Sequence, residues 1–375
     1  MESKKISIIL PNLRGGGAER IAIYLANDWS SRGYLVEFIL MQSQCELLHL
    51  LSPDIPIVSM GVDRIRNLIK PLKKHLRISK PDIIVAGMWP LTSAVVLAWL
   101  LAFRPGRLYL IEHCHLSAEC ARGLHFSSFY LKFLMRLTYP FATGIIAVSN
   151  GVKEDLMRLG KFSDDQIQVI HNPAATGISA HRSSIKDREI LWGKGFDYHI
   201  LTVGNLKVEK NHEGLIRAFA KLVVSFNAKL TIVGDGSLRN QIENLVENYG
   251  LQDRVHLAGF VHNVYPWYRS ADLFVLSSVS EGLPTVLIEA MECGVPIVST
   301  RCNGGPEEIL GDGVYGRLVS DDDESELINA IGESLIGQHD SQELIKRAND
   351  FSINRISDQY LYYFQLSESS SIKNI

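Results

Sequence analysis

Residues 272–300 read DLFVLSSVSEGLPTVLIEAMECGVPIVST. DLFVLSS is a short apolar run of the kind that is buried inside a parallel sheet, SEGLPT is a turn, VLIEAMEC opens a helix, and PIVST is a second strand. Glu281 falls at the carboxyl end of the first strand and Glu289 about one turn into the helix, so both carboxylates can line the same cleft. A carboxylate accepts hydrogen bonds from two neighbouring hydroxyls, which makes a ribose or a hexose a natural guest. Between the two acids lies the helix start at Leu283, Pro284 and Thr285, where the N–H groups other than proline's are free for a phosphate. Read alone, Glu289 serves equally well as a carboxylate that stabilises its own helix N-terminus, worth about 0.3–1 kcal/mol.

The same strand–helix alternation runs through the rest of the chain. ISIIL (6–10), VEFILM (36–41), DIIVAG (82–87), RLYLIE (107–112) and GIIAVS (144–149) carry the strand signal, with helical stretches between them, and QIQVIHNP (166–173) closes the series. Residues 174–199 are polar, irregular and contain Gly and Ser, as expected of a linker. A second series follows: ILTVG (200–204), KLTIVG (229–234), VHLAGF (255–260), and the pair of strands in the opening stretch. A chain of 375 residues is long for one core and comfortable for two domains. The expectation is an α/β protein with two doubly wound, Rossmann-like domains whose strand ends face one cleft, where ligands of such sheets bind. The final segment FSINRISDQYLYYFQ (351–365) reads as a helix, followed by a polar tail.

Composition limits the class of function. Net charge is only −3, but residues 1–180 carry 20 Lys/Arg against 14 Asp/Glu while residues 181–375 carry 18 against 27. A basic half suits anionic partners or is simply uneven solvation charge. The five cysteines are scattered and follow no metal-ligand spacing, which favours a reducing cytoplasm. The most apolar window, PLTSAVVLAWLLAF (90–103), is shorter than the roughly 20 residues that cross a bilayer and reads as a core helix. No membrane span and no secretion signal is expected. The acidic run DDDESE (321–326) reads as the solvated start of a helix, not as a metal site.

Four further segments bear on a ligand. RGGGAER (14–20) follows the first strand, and Gly16 and Gly17 place free amides at a helix start; a tight turn alone accounts for it equally well. It lacks the GxGxxG spacing of a dinucleotide fingerprint, and Glu37 sits inside the second strand. VGNLKVEKNH (203–212) puts Lys210 beside a helix start, suited to a diphosphate or else a solvated loop lysine. TIVGDGSLR (231–239) is another close-approach turn, at Gly234. LAGFVHN (257–263) leaves backbone at Phe260 free to pair with a base edge.

Taken in order, GGGAER, GNLKVEKNH and EGLPTVLIEAMECGVPIVST followed by GGPEEIL strongly resemble the family 4 glycosyltransferases over about residues 6–365. That resemblance implies a GT-B fold: an acceptor-binding domain over 1–180, a nucleotide-sugar-binding domain over 181–350, and a C-terminal helix and flexible tail over 351–375, the helix crossing back to the first domain. It implies that Glu289 holds the ribose hydroxyls, Glu281 a hydroxyl of the donor sugar, and Lys210 the diphosphate, helped by amides around Gly16. His113, in LIEHCHLS, matches the histidine that reaches the donor sugar; His115 is the weaker match. Asn205 stands where many members carry Arg, so a phosphate-binding fork is missing from an otherwise matching site.

The implied reaction moves a hexose or N-acetylhexosamine, with retention of configuration and without metal or cofactor, from a nucleoside diphosphate sugar. UDP-sugars are favoured, with GDP-mannose as the alternative, and the acceptor is a glycan or polyprenyl-linked saccharide of the cell envelope. A sugar-nucleotide epimerase or a non-catalytic binding protein on the same scaffold are the competing classes. VDRIRNLIKPLKKHLRISKP (62–81) and RGLHFSSFYLKFLMRLTYPF (122–141) mix bases with apolar residues and suit either an anionic membrane face or ordinary packed helices. The expected location is cytoplasmic, with peripheral attachment to the inner face of the membrane. No nucleic-acid motif accompanies the charge.

Overall fold

The computed structural model describes residues 3–121, 128–177 and 185–366. Its strands are β1 (Lys5–Leu10), β2 (Leu35–Leu40), β3 (Ile57–Ser59), β4 (Ile83–Gly87), β5 (Arg107–Glu112), β6 (Gly144–Ala147), β7 (Ile167–Val169), β8 (Tyr198–Val203), β9 (Ala228–Val233), β10 (Val255–Gly259), β11 (Leu273–Leu276), β12 (Ile297–Thr300) and β13 (Arg317–Val319). These pair in parallel throughout, in the orders β3-β2-β1-β4-β5-β6-β7 and β10-β9-β8-β11-β12-β13. Strands covered by helices on both faces must be apolar on both, and IIVAG of β4 and LFVL of β11 are buried at every position. Each sheet reverses its winding at one point, between β1 and β4 in the first and between β8 and β11 in the second. At these switch points the loops leaving the strand ends diverge and open a crevice.

The described residues divide into two compact units, residues 1–173 with 353–375, and residues 174–352. The last helix, Ile353–Leu366, therefore belongs with the first sheet, as the sequence implied. Its Tyr360 and Phe364 meet Trp29 edge-on at 6.1 and 5.7 Å, Phe364 lies 4.5 Å from Tyr109, and Arg32 pairs with Asp358. The helix Leu91–Leu101 has eight of its residues buried and packs beside the helix Ile65–Ser79, so the apolar window is core. No helix among the described residues is long and apolar enough to cross a membrane.

Two features differ from the sequence expectation. The strands β3 and β13 are three residues long, too short to show a period, and both lie at sheet edges. Within the presumed linker 174–199, the helix Ile185–Trp192 docks through a fully buried Trp192 whose indole N–H donates to Ser270 Oγ at 2.8 Å. Residues 178–184 of that segment, 122–127 of the second basic–aromatic stretch and the tail beyond 366 lie outside the described residues. Glu37 is used up inside the first sheet: it accepts from Ser7 Oγ at 2.6 Å and pairs with Lys5 at 3.2 Å and His75 at 3.3 Å. Burial pushes its carboxyl upward, but the hydrogen bonds from His75, Ser7 and Lys5 outweigh it and hold the pKa at about 2.

Candidate active site

In the second unit the ends of β8, β9 and β10 are drawn together by glycine. Gly234 has φ +143°, and a Cβ there would lie 2.1 Å from the Gly204 carbonyl oxygen; at Gly236 a Cβ would lie 2.5 Å from that of Leu206. No other residue fits this close approach. Gly204 N–H donates to Val233 O and Gly234 N–H to Gly259 O, at 2.9 and 2.8 Å. Beyond Gly259 the ring of Phe260 is more than half exposed and meets His262 edge-on at 5.0 Å.

The loops after β8 and β11 flank the switch point of this sheet, and Lys210 and Glu281 join them. Lys210 ends a short 3₁₀ turn just before the helix His212–Leu222, with its aliphatic stem over Gly204. Its Nζ donates to Glu281 Oε1 at 2.5 Å, and the same oxygen accepts from Ser278 Oγ at 2.6 Å. Two further bonds hold the loops in register: Val279 N–H to Glu209 O and Ser277 Oγ to the Lys210 carbonyl, each 2.9 Å. The ammonium and carboxylate are thus fixed side by side beside the switch point. The turn that carries Glu281 rests on the helix Gly305–Leu310, where a Cβ at Gly305 would be 2.6 Å from Gly282 O.

Glu289 sits on the helix Thr285–Glu292, half-buried, and accepts from the Tyr268 hydroxyl at 3.0 Å. Burial and the adjacent Glu289 push the Tyr268 phenol well above its ordinary range, so it stays protonated and orients the carboxylate. Leu283 and Pro284 are buried, Thr285 half-buried, and Asn205 exposed on the loop after β8. The run DDDESE caps the helix Glu324–Ile336 through Asp323, which accepts from Glu326 N–H at 2.9 Å. Among the described residues no group of three His, Cys, Asp or Glu is placed to hold a metal ion.

In the first unit, Gly16 caps the helix Gly17–Ser31 without a side-chain bond. The carboxylate of buried Glu19 folds back over it, 2.2 Å from where a Cβ would be, so a larger residue at 16 would displace the Glu19 carboxylate. Gly17 has no such constraint, since a Cβ there meets nothing. His113 follows β5 and lies over Gly87 at the end of β4, its Nε2 3.5 Å from the position of a Gly87 Cβ. Beneath it is a cavity of about 20 Å³ walled by Leu10, Ala18, Ile21, Trp29 and Gly87. Desolvation lowers the His113 pKa to about 4, with Asn172 opposing the shift, so the ring is a neutral hydrogen-bonding group. His115 points into the protein instead and is 6% exposed.

Sequence reasoning missed the groups that hold these side chains. Ser278 lies inside the quoted stretch, but nothing in SSVSEG marks it as a partner of Glu281. Tyr268, in YPWYRS, comes from a different helix. Glu112, next to His113, is fully buried and accepts from Tyr139 OH, from Thr92 Oγ1 at 3.2 Å and from Trp89 N–H at 3.3 Å. Burial pushes its carboxyl up to about 7, against the lowering effect of those bonds.

Residues 15–177 match the family model described as Glycosyltransferase Family 4, and residues 186–351 that described as Glycosyl transferases group 1. The N-acetylgalactosamine-N,N'-diacetylbacillosaminyl-diphospho-undecaprenol 4-alpha-N-acetylgalactosaminyltransferase of Campylobacter jejuni is 29% identical over 339 residues, 88% of this chain and 89% of that protein. The lipopolysaccharide core biosynthesis glycosyltransferase LpsE of Rhizobium meliloti is 28% identical over 360 residues, 93% of this chain and 95% of that protein. HepE of Anabaena, solved in complex with UDP-glucose, superposes with a TM-score of 0.80 at 23% identity, over 96% of this chain and 99% of that one. Two Rossmann-like domains of this kind define the GT-B class. The chain belongs to the family 4 glycosyltransferases.

Proposed function

We propose that this glycosyltransferase moves a hexose or N-acetylhexosamine from a UDP-sugar to a lipid-linked or glycan acceptor in cell-envelope assembly, keeping the anomeric configuration. The observation that carries the reading is the Lys210–Glu281 pair at the β8/β11 switch point, where a sheet of this type receives its ligand. Support for the donor and acceptor comes from the relatives, one named for a diphospho-undecaprenol substrate and one solved with UDP-glucose.

In this mechanism Glu289, oriented by Tyr268, grips the ribose hydroxyls, and Glu281 grips a hydroxyl of the transferred sugar. As the glycosidic bond breaks, negative charge grows on the leaving diphosphate, and Lys210 with the neighbouring amides of Leu283 and Thr285, on the turn shaped by Pro284, stabilises it. Asn205, Gly234 and Phe260 complete the donor pocket of the second unit. His113, whose pKa desolvation lowers to about 4, is neutral near pH 7 and serves as an uncharged hydrogen-bonding group. The acceptor attacks on the face from which the diphosphate leaves, and the departing oxygen takes its proton, so no metal is required.

Lys210→Ala is expected to lower kcat by about 10²–10³, with the melting midpoint moved by only about 3 °C because one half-buried ion pair is lost. A panel of nucleotide sugars, assayed with and without chelator and followed by NMR of the product anomer, tests the whole reading. Transfer from UDP-sugars with retained configuration is the expected result. An inverted product, an epimerised sugar, binding without turnover, or loss of activity on chelation rescued by manganese overturns it.

A further inference from the structure

The helix Ser128–Thr138 is apolar on two opposite sides. Leu131 and Met135 are buried in the first unit, while Phe129 is 80% exposed, Phe133 56% and Leu137 52%, a stripe at four-residue spacing facing away from the protein. A helix apolar all round is normally buried all round, and here one side has no protein over it among the described residues. The rings of Phe129 and Phe133 stack on each other at 6.5 Å, 11° between planes, which presents them as one wedge. Two further exposed rings carry arginines: Phe141, with the Arg104 guanidinium 5.8 Å away, and Phe103, 82% exposed beneath Arg77 at 4.5 Å.

From this geometry we propose that the Phe129–Phe133 face of the helix inserts into an anionic lipid bilayer, with the arginines beside Phe103 and Phe141 resting on the phosphates. The helix SFYLKFLMRLT has two bases and no acid, so its charge complements anionic headgroups and opposes a second copy of the same face. Aromatic rings flanked by bases suit the boundary layer, where the ring enters the acyl region and the cation stays with the headgroups. The more strongly basic helix Ile65–Ser79 has a different part. Its Leu68, Leu72 and Leu76 are all buried, so it attracts the surface without entering it. The inference rests on the lipid-linked acceptor of the proposed function, which would bring the enzyme to a membrane.

The test is flotation of the full chain with phosphatidylcholine vesicles, with and without about one-third phosphatidylglycerol. The wild type should bind the anionic vesicles and release in high salt. Phe129→Ser with Phe133→Ser should weaken binding by about tenfold or more, and Lys132→Ala with Arg104→Ala by about fivefold per base removed. Both variants should keep the wild-type melting midpoint and its UDP-sugar hydrolysis in the absence of vesicles. Wild type that stays unbound, or a serine variant that floats as well as wild type, overturns the proposal. So does a wild-type dimer in light scattering that the serine variant turns into a monomer, since the face would then be covered by a second copy. Hydrolysis is read separately: its absence defeats the proposed function while leaving the vesicle result standing.

Discussion

Two positions show how a single residue sets the site. Gly234 combines a left-handed φ with contact against the Gly204 carbonyl, so Gly234→Ala meets both strain and a clash. Together these cost ~3 kcal/mol, expected to lower the melting midpoint of the second unit by about 10 °C in differential scanning calorimetry. Glu112 carries a pH dependence. Its folded-state pKa of about 7 lies above the ordinary 4.5, so the folded chain holds a proton that the unfolded chain releases. Its contribution is present below about pH 4.5 and is lost as pH rises through 7. Glu112→Gln should flatten the fall in stability between these values, read as denaturant midpoints from pH 5 to 8; an unchanged slope would put the titration elsewhere. That Lys210 and Glu281 lie on loops just beyond strand ends was legible in the sequence, because an apolar strand followed by a turn marks such a loop; the roles proposed for them came from the resemblance. Tyr268 and Ser278 were not legible, because a hydrogen bond between distant segments leaves no period behind.

Among elements, the central strands announced themselves, whereas two of the four edge strands, β3 and β13, did not. DIIVAG and DLFVLS are buried on both faces, which forces an unbroken apolar run, whereas IVS and RLV are short edge strands with at least one exposed residue each. The helix Ile185–Trp192 was hidden for a related reason: its anchor is one tryptophan, and one buried residue is not a pattern. The last helix is held more broadly. Phe364 packs against Trp29, Tyr109 and Tyr360, so Phe364→Ala should remove about 3–5 kcal/mol from the first unit. A downward shift of the first unit's calorimetric transition, with the second unit's unmoved, is the expected signature.

At the scale of the whole molecule the backbone crosses between the units twice, after Pro173 and after Ser352. Both crossings leave the second unit at one spot. Ala174 and Ala175 N–H groups donate to Phe351 O at 3.0 and 3.3 Å, and Gly177 N–H donates to buried Glu292 at 2.6 Å. A chain ending at Ser352 lacks the cover over Trp29 and Tyr109, so protease should digest its first unit while a fragment starting near residue 174 survives, identified by mass spectrometry. Equal resistance of both units would show the last helix to be dispensable.

That helix also fixes a timetable. A ribosome delivers residues 174–352 before it delivers the segment that shields Trp29, so the later of the two sheets in sequence can be finished first. The amino-terminal half must wait, open along one side, until the codons for residues 353–366 have been read.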